Sequence, residues 1–217
     1  MAMAKQTTKQ LQSGKKSYHH GDLRAALLDE TVRILREEGE DALSLRHLAT
    51  NIGVSHTAAY HHFKDKQSLL VAVAEEGFVR FNAAMKAAMK RARGRYGREI
   101  IRAYVKAYVN FAVNNAEYYD LMYGGRVWRS DQLTDSLVSS ARGTLRADIK
   151  RIQEWQARGL VAKDLDAVRF AEVAWGTYHG ISRLLIDGIY TDSASINRLC
   201  ETAADILWAQ LDPGGLG

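Results

Sequence analysis

The residues from Ser44 to Lys66 hold the side chains of this chain that are best suited to act on another molecule. They predict two short helices joined by a turn at Gly53-Val54-Ser55, which is helix-turn-helix geometry. The second of these helices is predicted to expose short or planar polar groups and a methyl group: His56, Thr57, Ala58, Tyr60 and His61. Such groups suit a helix in the major groove of DNA, where base pairs present hydrogen-bonding edges and thymine presents a methyl group.

The flanking residues fit contacts with the DNA backbone. Ser44 and Ser55 are predicted N-caps, and backbone N–H groups with hydroxyls at helix N-termini favour phosphate. Arg46 lies just inside the first of the two helices, where it could reach a guanine edge. Lys64 and Lys66 flank the start of the next helix and could neutralise phosphates.

Other chemistries find less support in the residue pattern. His61 and His62 are adjacent, so they point to different sides of a helix and do not favour a metal site. The sequence has no P-loop, dinucleotide-binding glycine pattern or Gly-x-Ser-x-Gly motif. We therefore expect no metal, no cofactor and no catalytic residues. The alternative that stays open is an α-helical small-molecule-binding protein or enzyme without a DNA-binding role.

A second candidate site lies in the aromatic segment 96–190. Gly176 and Gly180 interrupt a strongly periodic helix there, which indicates that another helix or a ligand approaches closely. Aromatic side chains with a few polar tips are typical of a ligand pocket between helices, although an aromatic core is the competing interpretation. The predicted ligand-binding residues are Tyr108, Phe111, Tyr119, Met122, Trp128, Trp175 and His179.

Composition and periodicity predict an all-α fold. Proline is confined to Pro213, and Ala, Leu, Arg and Glu are abundant. We predict a flexible basic arm, a helix-turn-helix DNA-binding domain of three helices, a helical domain for ligand binding and dimerisation, and a tail, at 1–17, 18–66, 67–212 and 213–217. The predicted helices span 22–39, 44–52, 55–63, a stretch from 66 to about 90, 98–115, 117–123, 131–158, 164–188 and 194–210.

Charge is distributed unevenly along the chain. Residues 1–95 hold 16 Lys and Arg against 10 Asp and Glu, whereas residues 96–217 hold 14 against 15. The basic first part favours a polyanionic partner, with a solvated surface plus a basic tail as the alternative. The lone Cys200 favours a reducing compartment, and no apolar stretch is long enough for a membrane span, so we expect a cytoplasmic protein with no membrane partner.

The helix-turn-helix segment resembles the DNA-binding domain of the TetR family of bacterial regulators. The matching residues are Gly53-Val54-Ser55, Tyr60-His61-His62-Phe63-Lys64-Asp65-Lys66 and Leu69-Leu70. The resemblance implies phosphate contacts by Tyr60, His62 and Lys66, and base contacts by Arg46, His56, Thr57 and Ala58. The sequence departs from the family at Ala59, where a larger apolar residue is usual, and this bears on how the third helix is seated. The segment Trp175-Gly-Thr-Tyr-His179-Gly180 resembles the Trp-His-Gly type of C-terminal domain in this family.

The resemblance implies a homodimeric repressor that binds a palindromic double-stranded DNA operator and responds to a small-molecule effector of unknown identity. Small residues along the last two helices predict close packing with the symmetry mate. The predicted stripes are Ala167, Ala171, Ala174, Tyr178, Ile181 and Leu185 on one helix, and Ile196, Leu199, Ala203, Ile206 and Leu207 on the other.

Overall fold

A computed structural model describes residues 20–95, 97–190 and 193–212, with side chains at 23–95, 97–190 and 196–212. Within these ranges the chain is helical and forms no strand. The predicted arm 1–17 and tail 213–217 lie outside the described residues. The helices are α1 His20–Glu37, α2 Leu45–Asn51, α3 His56–His62, α4 Lys66–Arg91, α5 Arg98–Asn114, α6 Ala116–Tyr123, α7 Gly125–Trp128, α8 Asp135–Ala157, α9 Ala167–Ile186 and α10 Ser193–Leu211.

The first three helices pack around a small apolar core. Leu27 of α1, Leu48 of α2 and Ala59 of α3 are fully buried there. The first helix starts at His20, two residues before the predicted start at 22, and ends at Glu37, two residues before the predicted end at 39. A short 3₁₀ turn at Glu40–Ala42, which the sequence analysis missed, connects α1 to α2.

Helix α4 joins this small bundle to the rest of the molecule. Its 26 residues extend about 39 Å at the usual rise of an α-helix. A capping box fixes its first turn, because the Asp65 carboxylate accepts from the Ser68 N–H at 2.7 Å and the Ser68 hydroxyl lies 3.2 Å from the Asp65 N–H. Movement at either end of α4 can therefore be transmitted along one continuous helix.

The remaining helices surround α5, which packs against α4, α9 and α10. One continuous buried cluster extends from Leu23 to Leu211 and includes residues of both halves of the chain. Helix α8 begins at Asp135 with Thr134 as N-cap, four residues later than predicted, and the single-turn helix α7 was not predicted. No helix in the described ranges has the length and hydropathy needed to cross a membrane.

The predicted dimerisation stripes mostly pack inside the protomer. Burial of their small residues in the single chain leaves them unavailable to a partner, so this part of the prediction is wrong. The buried members are Ala167, Ala171, Ala174, Tyr178, Ala203 and Leu207. The exposed apolar surface of the last two helices includes Ile206, a member of the predicted α10 stripe, and Val173 of α9, which lies one position before the predicted Ala174; their exposed fractions are 63% and 67%.

Candidate nucleic-acid interface and regulatory core

The turn between α2 and α3 is built by short-range hydrogen bonds. Ser44 Oγ accepts from the His47 N–H at 3.1 Å and Ser55 Oγ accepts from the Ala58 N–H at 3.2 Å, so both serines are N-caps as predicted. Gly53 has φ of 72°, a left-handed conformation that a glycine adopts without strain. These local interactions fix α3 against α2.

The outer face of α3 is presented to solvent. His56, Thr57, Tyr60 and His61 are exposed, and 49% of the Tyr60 surface is accessible. Within the described residues, none of these four side chains makes a hydrogen bond, ion pair or ring contact with the rest of the chain. The face predicted to read base edges is therefore available to a partner, whereas Ala58 is half-buried against the core.

The cations near this face differ in their surroundings. Arg46 and Lys64 are exposed, and neither side chain makes a hydrogen bond or an ion pair with the described residues. Lys66 is half-buried, and its Nζ donates to the Glu40 carbonyl at 2.7 Å and lies 3.5 Å from the Glu40 carboxylate. Lys66 thus holds the 3₁₀ turn in place in this conformation.

Electrostatics favours a polyanion on the same side. The sequence from 42 to 64 contains no Asp or Glu.

His62, another predicted contact, is half-buried with its ring centroid 6.5 Å from that of Phe63. Of the predicted contacts, Arg46, Lys64 and the outer residues of α3 lie free at the surface, while His62 and Lys66 lie partly within the bundle.

Four of the seven predicted ligand-binding residues form a hydrogen-bonded chain. Trp175 Nε1 donates to the Tyr108 hydroxyl at 3.0 Å, the Tyr108 and Tyr119 hydroxyls are 3.0 Å apart, and the Tyr119 hydroxyl lies 2.6 Å from Nδ1 of His179. Since an indole N–H can only donate, the chain is satisfied when each tyrosine donates to the next member and Nδ1 of His179 accepts.

Burial keeps these four hydrogen-bonded side chains neutral. It raises the pKa of Tyr119 to about 12 and that of Tyr108 well above its ordinary value. It also lowers the pKa of His179, with the nearby Arg183 charge acting in the same direction. A neutral His179 matches the acceptor role of its Nδ1, so the electrostatics and the hydrogen-bond direction agree.

The other predicted ligand-binding residues lie apart from this chain. Phe111 is buried against Phe81, with ring centroids 5.2 Å apart. Trp128 Nε1 donates to the Met122 carbonyl at 2.6 Å, and Met122 is fully buried against α4. A Cβ added at Gly77 would lie 2.8 Å from the Met122 side chain, so Gly77 allows α4 and α6 to approach closely.

A buried polar group that sequence reasoning missed lies between α5, α8 and α9. Asp148 is 9% exposed, and its carboxylate accepts from the Tyr104 hydroxyl at 2.7 Å, from the Tyr178 hydroxyl at 3.4 Å and from Arg151 at 2.6 Å. The only sequence signal was an acidic residue three positions before an arginine on one helix. These four residues border an inner cavity of about 50 Å³, which none of the seven predicted ligand-binding residues lines.

We looked for groups of side chains that could bind a metal ion in the described residues. Over residues 20–95, 97–190 and 193–212 no three His, Cys, Asp or Glu side chains are grouped so that they could hold an ion. Cys200 is buried, and burial raises the pKa of its thiol. The residues before His20, among them Lys15, Lys16 and His19, lie outside the described residues.

Two family profiles match the chain. Residues 27–73 match the profile described as bacterial regulatory proteins, tetR family, and residues 101–207 match a tetracyclin repressor-like C-terminal domain. A protein with unknown function from Rhodococcus sp. RHA1 is 37% identical, with 91% of this chain and 99% of that chain covered and a TM-score of 0.79. The TetR family transcriptional regulator PfmR from Thermus thermophilus shares the fold at 17% identity, with 86% and 95% coverage and a TM-score of 0.62.

Two curated relatives are similar over short segments of the chain. The HTH-type transcriptional repressor Rv1474c of Mycobacterium tuberculosis is 38% identical over 65 residues, which are 30% of this chain and 35% of that protein. The Tetracycline repressor protein class C of Escherichia coli is 40% identical over 52 residues, 24% of each chain. The matched segments thus span about a third and a quarter of the two relatives. With the profile matches in both halves, the RHA1 protein of similar length and the helix-turn-helix geometry, the chain belongs to the TetR family of bacterial transcriptional regulators.

Proposed function

We propose that this regulator is a homodimeric, ligand-responsive repressor that binds a palindromic DNA operator. The observation that carries the proposal is the outer face of α3, where polar side chains are exposed and unpartnered beside two serine-capped turns. Because these side chains make no contacts that stabilise the fold, they are free to contact a partner. The repressor names of the two curated relatives support the direction of regulation.

The residues predicted to contact DNA divide into proposed base readers and proposed phosphate contacts. Arg46, His56 and Thr57 extend from neighbouring helix starts and are proposed to read base edges, with Ala58 beside them for a thymine methyl group. His61 keeps its predicted place on the face towards the bases, and the proposed phosphate contacts are Ser44, Ser55, Tyr60, His62, Lys64 and Lys66. Lys66 must leave Glu40 to reach a phosphate, so we expect Lys64 to contribute more in a first encounter.

The proposed dimer uses the outer face of α9 and α10. A Cβ added at Gly176 or Gly180 would meet no atom within 4 Å in the protomer, so these glycines leave open space rather than packing within the chain. Val173, about one turn before Gly176 on α9, and Ile206 of α10 add exposed apolar surface to the two helices. A two-fold partner seated here would bury these residues and would present two copies of α3 to the two halves of a palindrome.

Contacts between the two halves of the chain provide a route for regulation. Arg36 of α1 forms a bidentate pair with Glu117 of α6 at 2.8 and 2.9 Å, and Arg126 of α7 pairs with Glu40 of the 3₁₀ turn. Gln132, just before α8, donates to the Asp65 carboxylate at the start of α4. A ligand that shifts α4, α6 or α7 would reorient α3 and change DNA affinity through a population shift between two states.

The test of DNA binding uses duplexes selected from a random-sequence library by the intact protein. Fluorescence anisotropy at about 50 mM and about 200 mM salt should give a specific complex whose affinity falls steeply with salt. Arg46→Ala should weaken binding to the selected duplex by about tenfold or more and reduce discrimination against random DNA, whereas Tyr60→Ala should weaken both alike. Arg142→Ala, an exposed arginine of α8, is the matched control and should leave binding unchanged.

A failure to select any duplex sequence would reject the proposed function. Equal losses for Arg46→Ala on selected and random DNA would reject its role as a base reader. The dimer is tested separately by light scattering, in which Val173→Asp should shift the protein towards the monomer. Val79→Asp, at an exposed valine of α4 with 60% of its surface accessible, should leave the mass unchanged.

A further inference from the structure

Three spaces in the C-terminal half of the chain meet at one side chain. A cleft of about 340 Å³ lies at the C-terminal end of α4, the inner cavity of about 50 Å³ lies between α5, α8 and α9, and a groove of about 500 Å³ runs between α4 and α8. Met89 borders all three, and Trp155 borders the cleft and the inner cavity. A methionine is flexible, so its rotation can join the spaces.

The wall of the cleft is apolar and aromatic. Trp155, Val161 and Trp208 line it together with Ile100. The Trp208 ring lies 3.1 Å from where a Cβ of Gly97 would be, so the backbone before α5 closes one side of the cleft. Two indole rings facing one space offer a surface for an apolar or aromatic ligand group.

The rim of the cleft carries positive charge without compensation. Arg93, Arg95 and Arg158 border the cleft and are exposed, and none of them pairs with a carboxylate in the described part of the chain. The nearby arginines of α5 differ, because Arg98 pairs with Asp205 and Arg102 with Glu201. Three free guanidinium groups around one opening favour an anionic group, which they can bind through bidentate hydrogen bonds.

The inner cavity shares Met89 and Trp155 with this cleft. It is lined mainly by apolar side chains, and its one carboxylate, Asp148, already accepts from Tyr104, Tyr178 and Arg151. A ligand group that enters therefore needs no polar atom. At about 50 Å³ the cavity is too small for most ligands, whose pockets measure about 300–1,000 Å³, so a ligand must displace Met89 or Trp155 to enter.

We propose that this cleft binds the anionic head group of an amphiphile whose apolar tail passes Met89 and Trp155 into the inner cavity. The inference names the chemical class of the effector and in that respect rests on the proposed regulatory function. The site lies at the C-terminal end of α4, whose first turn begins at the helix-turn-helix, so a ligand that displaces Met89 acts directly on the helix that positions α3.

The test is calorimetric titration of the intact protein, without DNA, with dodecanoate and dodecyl phosphate below their micelle concentrations. The two head groups distinguish a carboxylate from a phosphate source. At least one should bind, butyrate should bind at least about 100-fold more weakly because it lacks most of the tail, and dodecyltrimethylammonium should not bind. The triple variant R93Q/R95Q/R158Q should weaken binding by about tenfold or more, whereas R142Q/R146Q, on exposed arginines of α8, should not.

Tryptophan fluorescence locates the tail independently of the charge variants. The bound amphiphile should change the emission of the two indoles of the cleft, Trp155 and Trp208, so Trp155→Phe should reduce the signal, while Trp128→Phe keeps it in full. Absence of binding by both anionic amphiphiles, equal binding of the cationic one, or an equal loss in the two arginine variants would overturn the inference. Because no DNA is present, these results are separate from the selection experiment, whose failure would reject the repressor function alone.

Discussion

Tyrosine and histidine occur in two opposite environments in this molecule. In α3, Tyr60 and His61 are exposed and have no hydrogen-bond partner among the described residues. In the C-terminal half, Tyr119 is fully buried and its hydroxyl lies 2.6 Å from the His179 ring. The difference separates two functions of the same residue types. Substitutions in α3 should change DNA affinity with little effect on stability, and substitutions in the aromatic chain should do the reverse.

The largest expected effect comes from truncating the centre of the aromatic chain. Tyr108 is fully buried, with its ring 4.4 Å from that of Tyr178 and 5.1 Å from that of Phe81. Tyr108→Ala should lower the free energy of unfolding by about 3–5 kcal/mol, because it leaves a cavity. Urea denaturation measures this. Tyr60→Ala, the exposed counterpart, should stay within about 0.5 kcal/mol of the wild type, and a comparable loss there would break the comparison.

The next effect removes one hydroxyl and keeps the ring. Tyr119→Phe leaves Nδ1 of His179 and the Tyr108 hydroxyl without their partner, so the free energy of unfolding should fall by about 1–3 kcal/mol. Tyr60→Phe removes a hydroxyl that has no partner among the described residues and should leave stability unchanged. The same denaturation series measures both. Equal stabilities of the two variants would show that the hydrogen bonds of Tyr119 contribute nothing to the free energy of unfolding.

A smaller effect concerns the start of α4. The Ser68 backbone N–H lowers the pKa of the Asp65 carboxyl below its ordinary value, with Gln132 donating to the same group. Asp65→Ala should therefore lower the free energy of unfolding by about 1 kcal/mol at pH 7. The carboxylate stabilises the fold above its unfolded pKa, and this stabilisation is lost as pH falls through the folded pKa. The difference between variant and wild type should shrink in acid, and a difference that persists at about pH 2–3 would contradict the cap.

The smallest expected effect is the pH dependence of His179. Burial first, and the Arg183 charge second, hold the pKa of His179 below 6.5, so the unfolded chain binds a proton more readily than the folded one. Stability should therefore fall as pH drops below about 6.5 and level off below the folded pKa. Denaturation at a series of pH values measures this in the wild type and in His179→Gln, which should lose part of the dependence. His61→Gln, in the exposed α3, should keep the pH dependence of the wild type. Loss of this dependence in His61→Gln, with its retention in His179→Gln, would contradict a buried, neutral His179.

Local sequence signals predicted the helix-turn-helix well. The caps Ser44 and Ser55, the turn at Gly53 and the apolar spacing along α4 depend on neighbours within a few residues, so they can be read from the sequence. The start of α1 was predicted less well, because the helix begins at His20 rather than at 22. The roles of the residues proposed to contact DNA remain predictions, from the sequence and from the structure alike.

Tertiary proximity could not be read in the same way. The sequence indicated that Gly176 and Gly180 leave room for a neighbour, but not that no atom of the protomer fills the space beside them. It placed small residues such as Ala171 at the dimer surface, although they pack within the chain, because periodicity identifies an apolar face without identifying what covers it. Asp148 and the cleft of arginines were missed because they join helices far apart in sequence.

Hydrogen–deuterium exchange with and without the selected duplex tests the contrast between the two regions most directly. The account predicts slower exchange across α2 and α3, from 45 to 62, when the duplex is bound. It predicts no comparable slowing at the aromatic chain around Tyr108 and Tyr119, which is already buried in the free protein. Unchanged exchange in α3 with strong protection of the C-terminal helices would contradict the account, because the duplex would then contact a different surface.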